Sequence, residues 1–247
     1  MKTMPRLLAD YHTHTSFSDG KGSIRDNVRA ALARGLTCIG ITDHSIGHVS
    51  YGIKRADVQR MRDTVDELND QYAGRIRVLL GVETNLLGLN GAIDLPEDMR
   101  RQLDLVIMGY HRFVWPARPR DYFLMQGRAA LPGSYKSEAF RQHMSDGYIA
   151  ALGRHKIDIL AHPGEYVPLD MRRVAPQAVA RDTIIEINGR HPGTVEMVRQ
   201  ALAAGARFVL SSDAHLPARV GQVEKAWECA CAAGVPPSRI ENIEHEA

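Results

Sequence analysis

The chain holds 11 histidines. Six of them, His12, His14, His44, His111, His162 and His215, sit within a few residues of a short apolar run, and three carboxylates, Asp19, Glu83 and Asp213, do the same. A His-x-His pair says little by itself, because at this histidine content a random chain of the same length holds one about half the time. One such histidine, read alone, is a solvated loop residue or a hydrogen-bonded core residue. Repeated placement beyond successive strands is different, since packing gives no reason for it. Neutral imidazole mixed with carboxylate suits borderline divalent ions such as zinc, manganese or iron, whereas all-oxygen sites suit magnesium or calcium. Nine donor side chains exceed what one tetrahedral ion takes and match two or three ions with open positions. In His12-Thr13-His14 an extended chain sends both imidazoles to one side and Thr13 to the other. Asp213 and His215 repeat that spacing near the other end.

Such residues need strands to present them. Leu7–Asp10, Thr37–Ile41, Ile76–Val82, Leu103–Met108, Ile157–Ala161, Thr183–Ile187 and Arg207–Leu210 read as strands, rich in apolar and β-branched residues. Ser23 is placed to cap a helix carrying Val28, Ala31 and Leu32, which Gly35 stops. Val58, Met61, Val65 and Leu68, spaced by three and four, predict a helix near Ala56–Gln71. Further helices are expected near Ser137–Leu152, Thr194–Ala204 and Val220–Ala233, with none read between the fifth and sixth strands. From Arg112 to Gly133 the rhythm breaks at Pro116, Pro119, Gly127 and Pro132, giving a long loop or insertion near the barrel mouth. The alternation predicts a single α/β domain over residues 1–247, a parallel barrel rather than an open sheet. Barrels place their chemistry at the C-terminal strand ends, and closure makes the first and last strands neighbours. The His12/His14 and Asp213/His215 pairs then share one cluster.

Composition narrows the partners. With 44% hydrophobic and 24% charged residues, the 247-residue chain can bury a core without staples. A net charge of +2, from 31 basic and 29 acidic residues without a dense basic run, argues against a polyanion-coating protein. Nucleic acid is not expected as a partner, although a nucleotide stays open, and the oligomeric state is unspecified. No apolar run approaches the ~18–20 residues of a membrane span, and Asp10 arrives before any signal-peptide stretch forms. Cys38, Cys229 and Cys231 form an odd set without Cys-x-x-Cys spacing, which fits a reduced, cytoplasmic setting. Cys38 is expected in the core, and Cys229 and Cys231 on different faces of a helix. No Gly-x-Ser-x-Gly turn and no phosphate-binding Gly-x-x-x-x-Gly-Lys-Ser/Thr loop occurs.

The segments Asp10–Gly20, Ile41-Thr42-Asp43-His44, Gly81-Val82-Glu83, Gly109-Tyr110-His111, Ala161-His162-Pro163 and Ser212-Asp213-Ala214-His215 resemble, in order, the motifs of the polymerase-and-histidinol-phosphatase (PHP) family of metal-dependent phosphoesterases. The residues around Glu83, Gly91–Asp94 and Leu103–Ile107 are most similar to its stand-alone bacterial phosphatases with a trinuclear zinc centre. The resemblance implies a distorted (β/α)7 barrel with the metal site at the C-terminal strand ends. It implies two or three divalent transition-metal ions, zinc first, with manganese or iron as alternatives. One ion would take His12, His14, Glu83 and Asp213, with Glu83 bridging to a second ion on His111 and His162. The third would take Asp19, His44 and His215. Asp19 stands where some trinuclear relatives carry histidine. The implied reaction is hydrolysis of a small phosphomonoester by a metal-bridged hydroxide, with Glu83, Asp213 and His215 as the catalytic residues and no protein nucleophile.

Substrate contacts are less sharply written. Arg112 and Arg190 are candidates for gripping a phosphate bidentately. The insertion carries Arg112, Arg118, Arg120 and Arg128 against Asp121, so over the mouth it would steer anions; folded away, it would be a solvated loop or an oligomer contact. Trp115, Tyr122 and Phe123 could stack on a substrate ring or pack locally. Asp10 and Asp43 could accept from ligand imidazoles or cap loops. His48, His143, His155, His191 and His245 match no ligand position and read as surface or helix residues. Histidinol phosphate is one candidate substrate. The alternatives are a nuclease or nucleotide phosphodiesterase of the same family, a metal-dependent amidohydrolase, and a non-catalytic metal-binding or regulatory protein. The amidohydrolase reading expects a bridging lysine where Glu83 stands and leaves Asp19 and His44 unused.

Overall fold

The computed structural model describes residues 3–127, 131, 133 and 137–245. Seven strands form one all-parallel sheet in chain order: β1 (Ala9–Asp10), β2 (Cys38–Ile41), β3 (Arg77–Asn85), β4 (Leu105–Gly109), β5 (Ile159–Leu160), β6 (Ile184–Asn188) and β7 (Phe208–Ser211). Parallel neighbours need crossovers. These contain α1 (Ile24–Ala33), α2 (Val58–Gln71), α3 (Glu97–Arg100), α4 (Pro119–Asp121), α5 (Glu138–Arg154), α6 (Met171–Ala180) and α7 (Val195–Ala203), and α8 (Glu224–Ala233) follows β7. The sheet curls into a nearly closed barrel, the distorted (β/α)7 form. Among the described residues, no helix is long and apolar enough to cross a membrane.

Local chemistry explains the elements that carry the site. Ser23 accepts from the Asp26 N–H while Asp26 reaches back to the Ser23 N–H, a capping box that starts α1 in register. Val58, Met61, Val65 and Leu68 are all buried on one face of α2, each contributing about 2 kcal/mol by leaving water. On β4, Leu105, Ile107 and Gly109 share the inward face by two-residue alternation, and His111 continues it. Leu105 and Ile107 join Ile159, Ala161 and Val209 in a small cluster drawn from strand residues, which fills the barrel beneath the site. A larger apolar layer lies between sheet and helices.

The barrel closes by an unusual seam. Above, the His14 N–H donates to the Ala214 carbonyl and Thr13 bridges Ala214 in parallel. Below, residues 240–243 lie between β1 and β7: Leu8 N–H donates to Asn242, Glu241 N–H donates to Phe208, and Ile243 bridges Leu7. The buried Asn242 side chain donates to the Ala9 and Leu210 carbonyls, both at 2.7 Å, and accepts from the Leu210 N–H at 3.0 Å. Asn242→Ala leaves those backbone groups without partners. It is expected to cost about 3 kcal/mol, read as a lower urea midpoint with unchanged slope.

Two expectations change here. Residues 171–180, not read as a helix, form α6. Pro163, Pro168 and Pro176 mask its pattern, and Pro176 removes the bond that would reach Arg172. The helix persists because Asp170 caps it and Met171, Val174, Ala175 and Ala178 bury one face. Cys38, expected in the core, is only half-buried at the start of β2. Cys229 is buried on α8 and Cys231 half-buried. In the insertion, Val49 N–H donates to Phe113, Val114 bridges His48, and Trp115 N–H donates to Gly47, so residues 113–115 run against the loop after β2. α4 then continues into a π-helical turn, Tyr122–Gly127. Arg128 and Pro132 lie outside the described residues.

Candidate metal centre

The nine candidate ligands converge at the C-terminal edge of the barrel. His12 and His14 follow β1, His44 follows β2, Glu83 lies in β3, His111 follows β4, His162 follows β5, and Asp213 and His215 follow β7. Seven are buried, and Asp19 and His215, with side chains 29% and 24% exposed, form the opening. The His12 and His14 Nε2 atoms lie 3.1 Å apart, so both rings do point the same way. His162 and Asp213 have positive φ, 24° and 52°. These are costly conformations for residues with a side chain, held here where strands end at a functional site.

Glu83 is the hub. Its Oε1 lies 2.7 Å from His162 Nε2 and 3.5 Å from His111 Nε2; its Oε2 lies 2.9 Å from His44 Nδ1, 3.5 Å from His12 Nε2 and 3.7 Å from His14 Nε2. Asp213 Oδ1 reaches His14 Nε2 and His215 Nδ1, both at 3.3 Å, and Asp19 Oδ2 reaches His215 Nε2 at 3.3 Å. Room for Glu83 depends on Gly109, because a Cβ there would lie 3.0 Å from Glu83 Oε1 and 2.9 Å from His162 Cε1.

The field in this cluster is negative. Burial disfavours an ionised Glu83, but His111, His12, His44 and His162 outweigh it and hold the carboxyl well below its usual range. Asp213, Asp19 and Glu186 follow the same pattern: burial raises each, and neighbouring histidines bring each down. Burial also opposes a charged His12, yet Glu186, Glu83 and Asp213 push its pKa well above the ordinary value. His162 is carried up to about 9 against burial, by Glu83 first. Burial takes His14 down to about 4, with help from His44, and takes His111 well below its usual value. Positive charge is favoured between the carboxylates, while two imidazoles keep free lone pairs.

These residues fit divalent cations. Both Glu83 oxygens, His14 Nδ1 and His44 Nδ1 are buried without a hydrogen-bond partner. A buried ionised carboxylate with no donor costs several kcal/mol, which a bound cation removes. Four sets bring their donor atoms within 4.8 Å of one another: His14, Asp19, His44 and His215; His12, His162 and Asp213; His12, His14 and Glu83; and His44, Glu83 and His111. The groupings overlap more than the three separate sets implied by resemblance. His14 stands with Asp19, His44 and His215, and His162 stands with His12 and Asp213.

A supporting layer orients the ligands, and most of it escaped the sequence reading. Glu186 Oε1 takes the His12 Nδ1 contact at 2.9 Å, while Oε2 accepts from the His162 N–H and from Asn188 Nδ2. Asn85 Oδ1 lies 2.7 Å from His111 Nδ1, and Asp94 holds the Asn85 amide. The signal for Glu186 and Asn188 was their shared inward parity on β6. Asp10 and Asp43 cap loops instead of holding imidazoles. Asp10 accepts from Ser212 and Gly221 across the seam, and Asp43 from Thr15 and Ser18.

Other assignments also resolve. Arg190 lines the cleft above the ligands, its Nη1 2.8 Å from His215 Nδ1 and 3.7 Å from Asp213. Arg112 is exposed and sits over the Tyr166 ring, one residue removed from that cleft. His48, read as a surface or helix residue, is buried and stacks on Tyr51 beside His44. His191, read the same way, lines the cleft and pairs with Glu165 at 3.0 Å. Trp115, Tyr122 and Phe123 are exposed around a separate shallow depression with Pro116 and Pro119.

The family model described as the PHP domain matches residues 10–200. A protein named "Probable phosphatase" from Shewanella frigidimarina is 28% identical over 254 residues, covering 98% of this chain and 91% of the relative. Another of that name, from Acetivibrio thermocellus, is 24% identical over 251 residues, covering 98% and 93%. Two solved structures share the barrel. The histidinol phosphate phosphatase of Lactococcus lactis subsp. lactis, crystallised with zinc, L-histidinol and phosphate, aligns with TM-score 0.63 at 14% identity, covering 92% of this chain and 94% of that one. A candidate histidinol phosphatase of Listeria monocytogenes aligns with TM-score 0.66 at 16% identity, covering 89% and 99%. With the family model spanning seven of the nine converging side chains, all but Asp213 and His215, this chain belongs to the PHP domain family.

Proposed function

We propose that this protein is a metal-dependent phosphatase that hydrolyses a small phosphomonoester with two or three divalent transition-metal ions, zinc first. The observation that carries this reading is Glu83, fully buried and ionised among histidines, with neither oxygen hydrogen-bonded. Held by His12, His14, Asp19, His44, Glu83, His111, His162, Asp213 and His215, such cations would acidify water and offset charge on phosphoryl oxygens. Glu186 fixes His12 and Asn85 fixes His111, so their inward nitrogens are presented in one orientation. Arg190 offers a planar, permanently charged set of donors on the cleft wall, suited to a phosphoryl group entering beside His215. Arg112, outside the wall, is left to attract anions. Tyr51 and Tyr166 wall the cleft against water.

The cleft volume of about 240 Å³ favours a small monoester over a polymeric diester. The zinc, L-histidinol and phosphate in the Lactococcus structure support the metal and the size of substrate, and histidinol phosphate is one member of that class. Purified protein is expected to hold at least two transition-metal equivalents. It should release phosphate from p-nitrophenyl phosphate, with far slower turnover of bis-p-nitrophenyl phosphate. Chelation by EDTA should reduce turnover at least about 100-fold, and zinc or manganese should restore it. Metal-free protein with full activity, or a preference for the diester, would overturn the reading.

A further inference from the structure

We propose that the pocket beside the metal cleft receives the leaving group and selects phosphomonoesters whose alcohol part carries its own negative charge, a carboxylate or a second phosphate. This rests on the phosphatase reading and adds the substrate's second half to it. The pocket, about 430 Å³, shares Arg190, His191, Asp213 and His215 with the metal cleft, so a molecule held by its phosphoryl group at the ligands extends into it.

The outer wall is built from the segment between β7 and α8. That segment and the first turn of α8 bring Arg219 and Lys225 into the pocket against Glu224 and the ligand Asp213. Other arginines meet acids, as Arg173 does with Asp146 and Arg207 with Glu241, or backbone carbonyls, as Arg199 does with Ala232 and Arg239 with Gly205. Among the described residues the Arg219 guanidinium meets only the neutral Gln222, at 3.4 Å, and Lys225 is in no ion pair. Helix α8 begins on the same wall at Glu224 and Lys225, and no side chain caps it. Its first-turn N–H groups and the positive end of its dipole therefore add to the two cations. Unpaired positive charge beside a phosphate-binding cleft suits an ester carrying three or four negative charges and opposes an amino alcohol. An exposed charge pair is worth roughly two- to fivefold in affinity, so two cations with a helix end predict a preference of about tenfold.

The test uses the full-length, zinc-loaded protein and three phosphonates of one length: 3-phosphonopropionate, propylphosphonate and 3-aminopropylphosphonate. Calorimetry is expected to show the carboxylate binding about tenfold more tightly than the neutral compound, with the ammonium weakest. Turnover of 3-phosphoglycerate and of propane-1,3-diol bisphosphate, each against glycerol 3-phosphate and phosphoethanolamine, separates a carboxylate tail from a second phosphate. R219Q/K225Q should flatten these ratios and R219E/K225E should reverse them towards the ammonium compounds. Equal binding of the three phosphonates, or ratios that survive both variants, overturns the assignment. p-Nitrophenyl phosphate separates the two failures. Its hydrolysis alongside indifferent tails sinks only the pocket, whereas no phosphate release from any ester sinks the phosphatase reading and the pocket with it.

Discussion

Glu83→Gln is expected to abolish turnover and strip metal from the centre together. Both Glu83 oxygens sit among imidazole nitrogens at 2.7 to 3.7 Å, and neither oxygen makes a contact with good hydrogen-bond geometry. An amide has nearly the same shape, so the barrel should fold. It lacks the negative charge, however, and it turns one acceptor into an N–H that faces nitrogen lone pairs. Cations held between the histidines would then lose the anion that Glu83 offers them. The expected outcome is a fall of at least about 1000-fold in kcat/KM and a loss of at least one metal equivalent by elemental analysis. A second readout is independent of turnover. A cation that binds only the folded protein stabilises it, more so the tighter it binds, so the rise in melting temperature expected on adding zinc should shrink in the variant. A Glu83→Gln protein with full metal content and a normal thermal shift would remove Glu83 from the centre.

Glu186→Gln is expected to be the next most damaging change, although Glu186 touches no candidate ion position. Its two oxygens take His12 Nδ1 on one side and the His162 N–H and Asn188 amide on the other. Glutamine can offer an oxygen to only one side, so either His12 loses its anchor or the His162 backbone does. Loss of such an orienting partner costs about 10- to 100-fold in metal affinity or activity. Zinc titration against a competing chelator should show the weaker affinity, with kcat falling more than KM rises. A merely structural role would lower the urea midpoint and leave zinc affinity unchanged, and that pattern would refute the assignment.

Much of the site was legible in the chain because ligand chemistry is a property of residue type. Imidazole and carboxylate placed after apolar runs indicated borderline metals, and two-residue alternation correctly sent His12 and His14 to one side. The strands, the Ser23 cap and the buried stripe of α2 were equally readable, since each depends on neighbours within a few positions. Glu186 was not. Its inward parity with Asn188 marks a polar strand end but not a partner, and that partner, His12, lies 174 positions away. Prolines hid α6 because local propensity disfavoured a helix that burial against the sheet sustains. Arg112 and Arg190 looked alike as phosphate candidates, yet one lies over the Tyr166 ring outside the cleft and the other on its wall.

Composition and short-range spacing thus specified which atoms could bind cations and which segments would be strands or helices. Tertiary structure alone decided how the ligands are shared, which charges meet, and which cations remain unpaired beside the cleft. Those are distances between remote segments, and they are set by strand register and by the seam at Asn242, where residues 240–243 complete the barrel.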